Sequence, residues 1–226
     1  MRLFFHCHKF GYNSHMKNTP IFILFVILLS SCVANTAPSA ANAESQLETP
    51  LATIEMTNCS PAPIEIPKLP AEIPGYAELD EATGLHITGK APDIDFSSYR
   101  LRITGLVNKP LSLTYDNLRC LPKVTATPLL VCPGFFEDLA TWSGVPIYEV
   151  LKLAEPQPNA SKITLISADG YRSTMDLEVA LEEENFLAYE LESQPLPVLH
   201  GFPLRAILPD ITGGKWVKWL VEIIIE

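Results

Sequence analysis

The chain has 226 residues, enough for one domain with appendages. A 47% hydrophobic content supports a sizeable core, and 19% charged residues is not the balance of a disordered chain. The net charge is −10; without residues 1–31, which hold Arg2, Lys9, Lys17 and no acid, it is −13, a surface that repels phosphates and argues against a nucleic-acid partner.

From the N-terminus, Lys17 precedes an unbroken apolar run, Ile21 to Leu29. The run suits the core of an export signal and is far short of the roughly 20 residues that span a bilayer. Leu29-Ser30-Ser31-Cys32 follows directly and has the form of a bacterial lipobox, so Cys32 is the expected lipidated residue. Several acyl chains on one residue anchor a protein stably. Translation from Met16 would leave Cys7 outside the product. Residues 33–75 are rich in Ala, Pro, Ser, Thr and Glu, and Pro61, Pro63, Pro67, Pro70 and Pro74 favour an extended tether. The expected organisation is a signal peptide over 1–31, a lipidated cysteine and tether over 32–75, and a folded domain over 76–226.

Within the domain, Tyr99 to Gly105 alternates apolar and polar residues as a half-buried strand does. Leu111 to Leu113 is a short strand, and Thr114 caps a helical turn through Leu118. Val124 to Cys132 reads as one strand. Pro146 to Ala154 reads as a helix with proline at its start. Lys162 to Ser167 and Tyr171 to Met175 flank the turn Ala168-Asp169-Gly170. Asp176 to Glu183 reads as a helix, and Phe186 to Leu191, Leu204 to Leu208 and Trp216 to Ile225 as strands. Strands and short helices alternate without a doubly wound rhythm, so the expected class is α+β with a mixed sheet.

Two segments carry candidate chemistry. Cys132 ends a strand and is followed by Pro133-Gly134, which turns the chain into a loop. A thiol there serves as a soft metal ligand, a disulfide half or a buried inert side chain. Cys59 and Cys120 are open partners for each other, a pairing the sequence does not decide. The second segment, residues 196–219, gathers His200, Arg205, Lys215, Lys218 and Gly213-Gly214 in an otherwise acidic chain. Glycines let backbone N–H groups approach an anion, arginine grips phosphate with two donors, and lysine adds a point charge. Solvated charges on an edge hairpin are the competing interpretation, and an open-surface solute-binding sandwich is the fold that would go with it.

Together these segments resemble the molybdopterin-binding domain of the sulfite oxidase family over about residues 83 to 226. Leu130-Val-Cys-Pro-Gly134 with Trp142-Ser-Gly-Val-Pro146 is similar to the family's metal-ligand segment. Ala188-Tyr-Glu190, Gln194-Pro-Leu-Pro197, His200-Gly-Phe-Pro-Leu-Arg205 and Gly213-Gly-Lys-Trp-Val-Lys-Trp219 resemble its cofactor-binding end. The resemblance implies a molybdenum-molybdopterin cofactor with Cys132 as metal ligand and reacting-centre residue. It implies that His200 and Arg205 hold the pterin and its phosphate, and that Gly213, Lys215 and Lys218 form the wrapping loop. Asp169 and, in the N-terminal segment, His86 and Thr88 fall where the family contacts the cofactor.

The departures bear on substrate. Sulfite oxidases carry arginine five residues after the metal ligand, where Glu137 stands here, and Thr88 aligns with a second arginine. Their later tyrosine and dimerisation domain have no counterpart in these residues. Sulfite is therefore not the expected substrate. Phe135, Phe136 and Trp142 belong either to an apolar mouth or to the core. No Cys-x-x-Cys-His haem motif occurs, so the implied redox partner is a separate cytochrome or quinol system. The expectation is an exported, membrane-anchored oxidoreductase acting on a small molecule, with a cofactor-free binding lipoprotein on the same fold as the alternative.

Overall fold

The computed structural model describes residues 51–54 and 58–226; the signal segment, Cys32 and the first part of the tether lie outside them. In chain order the strands and helices are β1 (Ala52–Thr53), β2 (Leu79–Asp80), β3 (Leu85–His86), β4 (Leu101–Gly105), β5 (Leu111–Leu113) and α1 (Tyr115–Arg119). Next come β6 (Val124–Ala126), β7 (Leu129–Cys132), β8 (Phe136–Leu139), β9 (Trp142–Pro146) and α2 (Ile147–Ala154). The chain continues through β10 (Lys162–Ser167), β11 (Arg172–Asp176), α3 (Leu177–Ala180), β12 (Phe186–Leu191), β13 (Gln194–Pro195), β14 (Arg205–Ile207) and β15 (Leu220–Ile225).

A six-stranded sheet runs β1-β5-β4-β15-β10-β11, with parallel pairing at β1–β5 and β4–β15 and antiparallel pairing elsewhere. A second sheet runs β13-β12-β9-β6, and β14 also pairs with β12. The ribbons β2–β3 and β7–β8 belong to neither. This is the expected α+β class with mixed pairing. One apolar cluster joins both sheets, including Leu101, Ile103, Leu165 and Ile223 of the first and Val145, Phe186 and Leu187 of the second. Burying each such side chain contributes about 1.5–3 kcal/mol. No helix among the described residues is long and apolar enough to cross a membrane.

Local chemistry explains the elements and the departures from expectation. Thr114 and Asn117 form a reciprocal capping box at α1. The strand expected over Val124 to Cys132 is two strands in different sheets, β6 and β7, because Pro128 cannot continue a ladder. The helix expected to reach Glu183 stops at Ala180. Glu182 to Glu184 would set negative charge at the negative end of the helix dipole. Trp216 to Trp219 is not strand: Trp219 has φ +51°, and the indole N–H groups of Trp216 and Trp219 donate to the carbonyls of Leu208 and Val198. Described parts of the stretch expected to be a tether, Ala52 to Ile54 and Cys59, are held on the domain. Ala52 pairs with Leu111, Asn117 Nδ2 donates to the Ile54 carbonyl, and a disulfide joins Cys59 to Cys120.

Candidate cofactor site

β7 and β8 form a hairpin in which Cys132 faces Phe136 across the ladder. The alternation sends Leu130, Cys132, Phe136 and Asp138 inward and leaves Leu129, Glu137 and Leu139 exposed. Cys132 is the one free thiol among the described residues, and it opens into a cavity of about 310 Å³. Thr88, Asp169, Gly213, Gly214 and Lys218 share that wall. Cys132 and the C-terminal loop thus meet at one cavity, as the sequence resemblance requires. A Cβ on Gly213 would lie 2.8 Å from Cys132 Sγ and 2.7 Å from Leu130 Cδ2, so any larger residue there displaces the thiol or the leucine.

Lys218 is 9% exposed, and its ammonium donates to the carbonyls of Thr88 and Leu199 and lies 4.5 Å from the Trp219 ring centre. Burial lowers its pKa to about 7, assisted by the neighbouring Arg205 charge. Arg205, 6% exposed, is stacked 4.8 Å from the Trp142 ring centre and donates through Nη1 to the His200 carbonyl. Burial lowers its pKa to about 10, and its Nε is buried without a partner. Neither cation forms a salt bridge to a carboxylate among the described residues. Both being buried removes the open-surface alternative for Arg205 and Lys218. Arg205 sits behind the cavity wall, not on it.

The other expected residues are more dispersed. Thr88 and Asp169 line the cavity. Lys215 does not; its ammonium donates to the Thr174 carbonyl at 2.9 Å. His200 is 1% exposed and absent from the wall. Burial, with the charges of Arg205 and Lys218, lowers its pKa to about 4, so the neutral ring donates Nε2–H to Asp80 Oδ2 at 2.9 Å. His86 Nδ1 donates to Asp138 Oδ1 at 2.6 Å, the His86 backbone N–H donates to Asp138 Oδ2, and the ring stacks on Phe136. His86 also lies off the wall.

Burial raises the Cys132 pKa, and the Asp138 charge pushes the same way. The carboxylate that acts on the thiol is therefore Asp138, buried on the inner face, whereas Glu137 points outward. Trp142 is core, Phe136 is half-buried and Phe135 is 71% exposed. Sequence reasoning missed Tyr76, Tyr171 and Trp219 as wall residues, and Asp80 and Asp138 as histidine partners. The inward-outward alternation after Cys132 was a usable signal for Asp138.

Residues 88–226 match the family described as the oxidoreductase molybdopterin binding domain. The chain belongs to this family. It is 29% identical to a putative protein-methionine-sulfoxide reductase subunit YedZ1 of Azospira oryzae, over 59% of this chain and 51% of that one. It is 30% identical to the mitochondrial sulfite oxidase of Rattus norvegicus, over 60% of this chain and 30% of the relative. The crystal structure of the sulfane dehydrogenase SoxCD from Paracoccus pantotrophus superposes with a TM-score of 0.56 at 26% identity, covering 60% of this chain and 40% of that one. The chain therefore spans about half or less of these proteins, and it shares with them a molybdopterin-binding oxidoreductase domain.

The residues present fit such a cofactor. Two buried cations lack a carboxylate salt-bridge partner, one with an orphaned N–H, and they accompany a cavity that also exposes a soft thiol. Unpaired buried charge is costly, and an anionic ligand with a sulfur-seeking metal relieves it.

Proposed function

We propose that this protein is an exported, membrane-anchored oxidoreductase that uses molybdenum-molybdopterin to move an oxygen atom or electrons on a small substrate other than sulfite. The observation that carries this reading is the shared cavity: Cys132 and the buried Lys218 line the same space. Cys132 would hold the metal. Lys218, Arg205 behind it and the Gly213-Gly214 loop would hold the anionic end, with Thr88 and Asp169 against the organic ring. The bound group supplies the two-electron chemistry.

The chain's own residues hold and shield. Trp216, Val217 and Trp219 give the cavity apolar wall and reduce water access, and Arg205 is clamped between Trp142 and the His200 carbonyl. Against sulfite stands Thr88, which brings no charge to the wall where sulfite oxidases align an arginine. A separate cytochrome or quinol system would exchange the electrons. The Leu29–Cys32 lipobox supports a lipid-anchored location in the cell envelope, and the Cys59–Cys120 disulfide supports an oxidising compartment.

Metal and pterin analysis tests the reading. Protein made in a host that assembles the cofactor is expected to carry molybdenum and pterin in equal amounts, and Cys132→Ser to lose the metal. Fully folded protein with neither would establish the alternative, a binding lipoprotein on the same fold. Turnover of sulfite above that of sulfoxides and N-oxides, with an artificial donor or acceptor, would overturn the substrate reading.

A further inference from the structure

The β2–β3 ribbon stands at the N-terminal side of the cavity, where the residues that flank it line the wall, and it pairs with neither large sheet. Its backbone closes on itself through Ala77 N–H to the Ile87 carbonyl and Ile87 N–H to the Glu78 carbonyl. Both flanks belong to the cavity wall, Tyr76 before it and Thr88 and Gly89 after it. Left-handed residues bound it, Ala77 at φ +59° and Gly89 at φ +70°. Its buried apolar residues are Leu85 and Ile87, while Leu79 is exposed. Leu85 anchors the ribbon to the apolar core, and polar contacts fix its two edges.

Those contacts form two clasps. Near one end Asp80 accepts from His200 Nε2, and Thr83 Oγ1 also lies 2.9 Å from that nitrogen. At the other, His86 is gripped by both carboxylate oxygens of Asp138 on the hairpin that carries Cys132. The Thr88 carbonyl holds the Lys218 ammonium as a third link. While this link stands, a donor suited to an anion is occupied by the ribbon's own backbone.

We propose that Ala77–Gly89 is a hinged cover over the cavity, shut by the Asp80–His200 and His86–Asp138 clasps, and that a pterin-type ligand enters and leaves when it opens. This rests on the cofactor reading above. Opening withdraws Thr88 from Lys218 and exposes the cation to the incoming anionic group. Asp80, Asp138 and His86 are positioning residues on this account, acting through the cover.

Two readouts on the full chain test the cover. In cofactor-free protein, Asp138→Asn and Asp80→Asn are each expected to speed hydrogen exchange at the amides of Ala77 and Ile87 about tenfold, with Leu165 in β10 unchanged. In loaded protein the same substitutions are expected to speed pterin loss, followed by fluorescence of the released pterin, by a similar factor. Thr83→Val, at the ribbon's turn, supplies both readouts should a buried substitution loosen the whole fold. Wild-type exchange rates in all three variants overturn the cover, as does faster ribbon exchange with unchanged pterin loss. Wild-type protein that never takes up pterin overturns the cofactor reading instead, and the exchange data tell the two failures apart.

Discussion

Replacing Lys218 by Met removes a buried ammonium while keeping an unbranched side chain of similar length. In the cofactor-free protein the folded-state pKa of Lys218 is about 7, against 10.5 for an ordinary lysine. Between those values the unfolded chain binds more protons than the folded one, so stability rises with pH across that window and levels off below about 7. One fully differential proton gives about 1.4 kcal/mol per pH unit, hence roughly 2–3 kcal/mol between pH 7 and 9. For a domain of this size that corresponds to roughly 5–10 °C in Tm. Thermal unfolding of cofactor-free wild type and Lys218→Met from pH 6 to 9 measures the difference, and other titrating groups cancel in the comparison. The wild type is expected to gain on the variant as pH rises from 7, and the loaded variant to hold pterin more weakly. Parallel Tm–pH curves would refute the claim that this cation is buried without a salt-bridge partner.

Gly213→Ala places a methyl against Cys132 Sγ and Leu130, and is expected to lower molybdenum content while the cofactor-free protein keeps its far-UV circular dichroism. Cys59→Ser removes the link across 61 residues and is expected to cost about 2–4 kcal/mol in urea unfolding under oxidising conditions, with no loss under reducing ones. Leu165→Ala, in the middle of β10, is expected to cost about 2–5 kcal/mol, measured the same way. Cys32→Ser is expected to leave an unlipidated precursor of altered membrane fractionation, seen by intact mass.

What the sequence makes legible follows from which signals survive packing. β4 shows its alternation because one face is solvated, with Arg102 outside between Leu101 and Ile103. β9 was invisible because all five of its residues are buried, leaving no period to detect. Tryptophans 216 and 219 suggested a strand by propensity, yet their indole N–H groups needed carbonyl partners and drew the chain into a loop. Cys132 and Lys218 were legible as site residues through motif order. Asp80 and Tyr76 were not, because they reach the site on a ribbon of two-residue strands too short for any pattern. Lys215 carried the right charge in the right motif but points to the Thr174 carbonyl, a direction set by the Gly213–Lys215 turn.

β15 lies inside the six-stranded sheet with β4 on one side and β10 on the other, although it follows β4 by more than a hundred residues. Until β15 is in place, the two halves of the sheet have no common neighbour and Leu101, Ile103 and Leu165 lack part of the surface they pack on. Folding of this sheet therefore waits for β15 and is paced by contacts between residues more than a hundred positions apart. Deleting Leu220–Ile225 would remove the middle of the sheet, not trim its edge.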